Sequence, residues 1–204
     1  LALYKSGSGE RGIFNRQASK TVAGRNKRRD DSFEFGTNPC SEIILQPFQF
    51  CNLSEVVVRE DDHEEDLLDK VEAATILGTM QATLTSFKYL RRQWKDATEK
   101  ERLLGVSLTG IMDHKILSGD VYNQAILPDL LKRMKQKAVD VNKIWAKRFG
   151  INQATAITCV KPSGTVSQLV NAASGIHARH NEHYIRRVRG DKKDPLTKFL
   201  QSQN

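Results

Sequence analysis

Asn38, Cys40 and Glu42 stand at alternate positions in the stretch GTNPCSEIILQPFQFCNLSEVVV, residues 36–58, and a second cysteine, Cys51, follows eleven residues after the first. In an extended backbone, residues two apart face the same side. On that reading an amide, a thiol and a carboxylate are presented to one site, from a loop stiffened by Pro39. The apolar EIILQPF then leads away and Cys51 closes the segment; if the segment folds back, two sulfurs approach one substrate from different directions. The bland reading of the same residues is a pair of buried cysteines packed as small inert hydrophobes, with Glu42 at the surface. Spacing alone does not choose between the two. Neither cysteine has a C-x-x-C or H-x3–5-H partner, which argues against structural zinc, and no metal site is expected.

A second stretch, TCVKPSGTVSQLVNAASGIH (158–177), also has the residue types for chemistry. It reads as a strand running into a turn and a short helix. Gly164 lets the backbone approach an anion, and the N–H groups that open the helix point toward it. Ser163, Thr165 and Ser167 offer hydroxyl donors, with Val166 between them, so Ser163–Ser167 is a candidate phosphate-binding loop. A plain helix cap explains the same residues. Cys159, inside the strand, reads as core. His177, His180 and His183 sit near Gly175 and read as a loop rather than as metal ligands.

The elements that must position these residues follow from periodicity. Leu67, Val71, Ala74, Leu77, Met80, Leu84 and Phe87 recur at three- and four-residue steps, predicting a helix from Glu64 to about Trp94, with the acidic REDDHEED as its solvated leading face. LLGVSLTGI (103–111) predicts a buried strand. Leu130, Leu131, Met134, Ala138, Val141, Ile144 and Trp145 predict a second long helix from about Leu127 to Arg148, ended by Gly150. ATAITCV (154–160) predicts another strand and HYIRRVRG (183–190) a further one. DPLTKFLQSQ predicts a helix opened by Asp194 and Pro195. Before residue 36 the chain is polar, with only GIFNRQASKTVAG ordered. Strands alternating with long helices give an α/β class with mainly parallel strands.

The string NPCSEI…CNL resembles the active-site loop of ribonucleotide reductases, particularly the adenosylcobalamin-dependent (class II) enzymes. KPSGTVS resembles the same family's phosphate-binding loop. ERGIFNR (10–16), LLGVSLTGIMD (103–113) and HYIRRVRGDKKDP (183–195) add weaker matches in colinear order across nearly the whole chain. The resemblance implies that Cys40 becomes a thiyl radical, that Glu42 is the base for the ribose 3′ hydroxyl, and that Asn38 orients the ribose hydroxyls. It implies that Cys51 is half of a redox pair reducing the 2′ position, and that Ser163, Gly164, Thr165, Val166 and Ser167 hold substrate phosphates. It further implies part of a ten-stranded α/β barrel with an active-site finger loop, adenosylcobalamin as cofactor, and a thioredoxin-type reductant. The substrate is a ribonucleoside di- or triphosphate, with the closest likeness to the monomeric, triphosphate-reducing branch. Within the family an iron-dependent large subunit is disfavoured by the eleven-residue cysteine spacing. No cysteine precedes Cys40 and no C-terminal cysteine pair follows, so residues 1–204 are expected to be the second half of a catalytic barrel, lacking the N-terminal half, the redox tail and most of the cobalamin site.

Composition bounds these readings. Of 204 residues, 39% are hydrophobic and 27% charged, an ordinary globular balance, and no apolar run approaches the roughly 20 residues of a bilayer span. Three cysteines are too few for a disulfide scaffold and suit a cytoplasmic setting. The net charge of +8, gathered in RNKRR (25–29) and RRVRGDKK (186–193), points toward an anionic partner. The alternative reading is therefore a non-catalytic nucleotide- or nucleic-acid-binding module using these stretches and the KPSGT loop. On the reductase reading no nucleic acid and no membrane is expected.

Overall fold

The computed structural model describes residues 1–8, 12–120 and 124–203. The opening of the ERGIFNR stretch therefore lies outside the described residues. Two short helices come first, α1 (Ala2–Ser6) and α2 (Arg16–Gly24), the latter capped by the Asn15 side chain accepting from the Ala18 amide. A two-residue hairpin follows: β1 (Gly36–Thr37) pairs antiparallel with β2 (Ile44–Leu45). Then come β3 (Asn52–Val57), α3 (Glu64–Gln81), α4 (Arg92–Glu101) and β4 (Leu104–Thr109). A single 3-10 turn (Ile111–Asp113), α5 (Leu127–Phe149), α6 (Thr165–Leu169) and α7 (Pro195–Ser202) complete the order.

The strands β3 and β4 are parallel, with Asn52 opposite Leu104 through to Val57 opposite Thr109. On the other side of β4 the chain at 156–159 runs parallel as well. Val106 bridges Thr158, the Leu104 and Val106 amides donate to the Ala156 and Ile157 carbonyls, and the Cys159 amide returns to Val106. β4 is thus a central strand. The expected strand over 154–160 is present only as this short ladder.

Alternation along β4 divides the sheet into two unlike faces. Leu104, Val106 and Leu108 join Val56, Val58 and Ile157 in an apolar cluster with Leu67, Val71 and Ala74 of α3 and Leu130, Met134 and Ala138 of α5. Burial of this kind contributes roughly 25 cal/mol per Å² of apolar surface removed from water. A buried polar link ties the same layer together. The Asn142 side chain donates to the Thr79 hydroxyl at 3.0 Å and accepts from the Ala154 amide at 2.9 Å. Gly105 and Ser107 point to the opposite face. A Cβ on Gly105 would meet Leu53 Cδ2 at 2.5 Å, Cys159 Sγ at 3.2 Å and Ile43 Cδ1 at 3.4 Å, so the hairpin lies directly over this face.

The helix expected from Glu64 to Trp94 is two helices. α3 ends at Gln81, residues 82–91 turn, and α4 begins at Arg92. The predicted stripe does not continue into the core beyond Ala74: Leu77 and Leu84 are exposed at 57% and 72%. Phe87 instead packs edge-on to Phe50, with ring centroids 5.1 Å apart, and Trp94 stacks on Phe50 at 5.8 Å. This aromatic contact pulls the chain out of helix and against the segment after the hairpin. The acidic run does lead α3, the Asp66 side chain accepting the His63 amide at 2.8 Å. α5 and α7 form where expected, with Gly150 left-handed at φ 66° and Asp194 capping α7. HYIRRVRG is not a strand; residues 183–190 are irregular and exposed.

Arg29, read from sequence as part of a basic surface stretch, is buried. Its guanidinium pairs with Glu101 through Nε at 3.0 Å and Nη2 at 2.8 Å, both side chains being only 4% exposed. Nη1 donates to the Ile44 carbonyl of β2 at 2.7 Å, and Gln49 bridges Arg29 and Glu101. The pair therefore bolts the hairpin to the end of α4. Removing one partner leaves an uncompensated buried charge, so Glu101→Ala is expected to destabilise the fold by about 3–5 kcal/mol, read as a lowered urea midpoint by circular dichroism.

Candidate functional site

The hairpin tip between β1 and β2 carries Asn38, Cys40 and Glu42. It is a turn rather than the extended segment that alternation assumed. The Ser41 amide donates to the Asn38 carbonyl at 3.0 Å, and Ser41 takes the left-handed conformation at φ 64°. The turn nevertheless brings amide and carboxylate together: Asn38 Nδ2 donates to Glu42 Oε1 at 2.6 Å. Asn38 Oδ1 accepts the Ile43 amide at 3.1 Å and closes the loop across its neck. Cys40 is exposed at the tip, while the Glu42 side chain is only 6% exposed.

The segment leading into the phosphate-loop candidate meets the hairpin through Lys161, the residue that opens KPSGTVS. Lys161 Nζ lies 3.1 Å from Glu42 Oε1 and 3.5 Å from Cys40 Sγ. Its backbone amide donates to Ser107 Oγ at 2.8 Å, fixing it to the site-bearing face of β4. The hydrogen bond to Glu42, opposed by partial burial and reinforced by the Glu42 charge, raises the Lys161 pKa above its usual value. Glu42 Oε2 is buried and has no hydrogen-bond partner, an arrangement that carries a cost unless a ligand group completes it.

Cys51 and Cys159 belong to the same neighbourhood. Burial pushes the Cys51 thiol up to about 11, with the Glu42 charge adding to the effect. Burial pushes Cys159 up to about 12, and both Cys51 and Glu42 contribute there. Cys159 is only half-buried and is linked to Ser107, so it stands at the edge of the site rather than sealed in the core.

The loop Ser163–Ser167 is divided by exposure. Gly164, Thr165 and Val166 are exposed and Gly164 has open space around it, whereas Ser163 and Ser167 are buried. The Ser167 hydroxyl donates to the Gly164 and Ser163 carbonyls at 2.7 and 3.2 Å, so it braces the turn internally. The buried Ser163 hydroxyl has no partner. Behind the loop the end of β4 clamps residues 173–175: Thr109 Oγ1 donates to the Ala173 carbonyl at 3.0 Å and accepts the Gly175 amide at 2.9 Å. Gly175 is left-handed at φ 57°, and a Cβ there would press on the Lys161 carbonyl at 3.2 Å.

Sequence reasoning names Asn38, Cys40, Glu42 and Cys51, which the fold gathers, and leaves out Lys161, which joins the two motifs. Lys161 stands in the KPSGTVS string, but that string alone assigns it no role of its own.

The raised thiol values set a pH test. Unfolded thiols lose their protons near the ordinary 9.0, while Cys51 and Cys159 in the fold keep theirs to about 11 and 12. Above pH 9 the unfolded chain therefore binds fewer protons than the folded one, and stability falls as pH rises from about 9 through about 11–12. Iodoacetamide at pH 8 is expected to label exposed Cys40 first. Cys51 labelling should lag, with a thiolate fraction about a hundredfold below that of an ordinary thiol, and should climb toward pH 11. Peptide mapping by mass spectrometry reads the order.

No family model matches the chain. Individual proteins do. An adenosylcobalamin-dependent ribonucleoside-triphosphate reductase of Lactobacillus delbrueckii subsp. bulgaricus is 28% identical over 96% of this chain and 29% of its own length. Reductases of the same description from Lacticaseibacillus paracasei and Lactobacillus helveticus are 29% and 30% identical, over 99% and 95% of the chain. Among solved structures, a B12-dependent (class II) ribonucleotide reductase superposes with a TM-score of 0.54 at 25% identity, covering 70% of this chain and 22% of that one. The chain spans a little under a third of the length of the curated relatives it matches, 29% for the first. In sequence along nearly its whole length, and in backbone over most of it, the chain is similar to part of the adenosylcobalamin-dependent (class II) ribonucleotide reductases.

Proposed function

We propose that this chain carries the radical-bearing loop of a ribonucleotide reductase and takes part in converting ribonucleotides, triphosphates first among them, to 2′-deoxyribonucleotides. One observation carries the reading. An exposed thiol, a carboxamide and a mostly buried carboxylate share one turn, over a face of the sheet that also holds Cys51. The names of the relatives supply the nucleotide substrate and the adenosylcobalamin dependence; the roles below are assigned by motif.

In the proposed reaction the Cys40 sulfur radical takes the hydrogen atom from the ribose 3′ carbon, leaving a carbon radical and an S–H. Glu42 accepts the proton of the 3′ hydroxyl, and Asn38 orients the ribose hydroxyls. The 2′ hydroxyl leaves as water. Cys51 and a second thiol supply two electrons and two protons and become a disulfide, which a thioredoxin-type dithiol reduces again. Cys40 then returns its hydrogen to the 3′ carbon and is a radical once more. The high pKa of Cys51 suits this role, because a thiol that stays protonated delivers both proton and electron. The exposed residues Gly164, Thr165 and Val166, with Ser163 and Ser167 behind them, are proposed to hold the substrate phosphates.

Adenosylcobalamin would supply the radical that first oxidises Cys40. The chain's described residues do not fit the corrin. An apolar cavity of about 470 Å³ lies between β4 and α5, on the helix-covered face of the sheet. Among the described residues there is no cluster of three or more His, Cys, Asp or Glu that could hold a metal ion. The exposed side of Cys40 is instead open to an initiator held by other parts of the enzyme. We accordingly read residues 1–204 as the second half of a ten-stranded α/β barrel, the hairpin being its finger loop, acting in the cytoplasm together with the remaining segments. No helix among the described residues is long and apolar enough to cross a membrane.

The test is deoxynucleotide formation from ribonucleotides with adenosylcobalamin and a dithiol, using the chain with the missing portions supplied from a related class II enzyme. Turnover is expected only in the complemented mixture. Cys40→Ser should abolish it, and Glu42→Gln should lower it by about 10²–10⁴. No turnover in a mixture shown to form a stable complex overturns the reading and leaves a nucleotide-binding module. Polynucleotide binding with a steep salt dependence would then identify that module.

A further inference from the structure

The carboxylate at the hairpin tip is held asymmetrically. Oε1 of Glu42 receives two donors, Asn38 Nδ2 at 2.6 Å and Lys161 Nζ at 3.1 Å, whereas Oε2 is buried and receives none. The same Lys161 ammonium reaches Cys40 Sγ at 3.5 Å. The Lys161 backbone is held: its amide is tied to Ser107, and Pro162 after it restricts its conformation. Although it opens the stretch assigned to substrate phosphates, its charge is directed into the hairpin.

We propose that Lys161 is a positioning residue for the reduction chemistry. By holding Oε1 together with Asn38, it leaves Oε2 as the oxygen that takes the 3′-hydroxyl proton, and it keeps the Cys40 sulfur beside that oxygen. The proton moves from the ribose O3′ to Oε2, and the lysine stays protonated throughout. Its charge opposes the negative charge that develops on the sugar oxygen as the proton departs. Because Lys161 and the loop Ser163–Ser167 share one backbone, seating the phosphates and aiming the carboxylate become one event. This inference rests on the reductase reading for its chemistry, and on the two distances alone for the contact.

Two measurements test it, one of them independent of turnover. In the first, Cys40 is alkylated in wild type, Lys161→Met and Lys161→Arg, with anionic iodoacetate and neutral iodoacetamide, and peptide mapping reads Cys40 by itself. The ammonium draws the anionic reagent, so the iodoacetate-to-iodoacetamide rate ratio should fall about threefold or more in Lys161→Met and persist in Lys161→Arg. An unchanged ratio in Lys161→Met overturns the contact. In the second, the complemented enzyme is assayed for turnover. Lys161→Met should lower kcat about tenfold or more with KM for the ribonucleotide within about threefold, and Lys161→Arg should recover most of kcat. A raised KM with unchanged kcat makes Lys161 a phosphate ligand and overturns the proposal. If wild type itself fails to turn over in a formed complex, the reductase reading falls and takes the catalytic role with it, while the alkylation ratio still decides whether Lys161 sits at the sulfur.

Discussion

A single buried ion pair fixes where the chemistry stands. The hairpin β1–β2 is two residues wide, and isolated two-stranded hairpins are marginal in water. Arg29 gives it an anchor by donating to the Ile44 carbonyl while its other nitrogens grip Glu101 at the end of α4. Gln49 fills the remaining polar positions, accepting from the Gln46 amide at 2.8 Å and from Arg29 while donating to Glu101. Such a network tolerates little change, since losing either charge leaves the other buried without its main partner. The aromatic contacts of Phe48 and Phe50 with Trp94 extend the same attachment outward.

With the hairpin anchored, the two faces of the short parallel sheet take different tasks. One face is closed by α3 and α5 and supplies the hydrophobic stabilisation. The other has Gly105 where any larger residue would crowd Leu53 and Cys159, and Ser107 where a hydroxyl can hold the Lys161 amide. Glu42 Oε2, one of several buried side-chain atoms without a hydrogen-bond partner, belongs to the hairpin over this face. Unsatisfied buried polar atoms are uncommon in folded proteins and tend to mark places completed by something else.

Much of this arrangement is legible in the sequence where local rules act. The period of α5 and its Gly150 stop, the Asp194 cap of α7 and the apolar strand β4 follow from local patterns. The reach of α3 does not, because the apolar period continues past Gln81 while tertiary contact of Phe87 with Phe50 ends the helix. Arg29 is illegible for a similar reason: its neighbours in RNKRR are basic, but its partner is 72 residues away. At the site, the Asn38 and Glu42 that motif resemblance singles out do touch, and the Glu42 charge is felt at Cys51, but the alternation argument presumes an extended strand and the chain makes a turn. Lys161 escapes because no local pattern marks a contact across 121 residues.

That separation also bears on how the molecule comes to be. The thiol and its lysine belong to segments that meet only after the parallel pair β3–β4 has formed and the chain at 156–159 has docked beside it. Contacts of such long sequence separation close late and slowly, after the loop entropy between them has been overcome. A nascent or partly unfolded chain therefore carries Cys40 as an ordinary surface thiol, without the carboxylate and ammonium beside it. The surroundings of Cys40 are thus completed by contacts that span more than half of the chain.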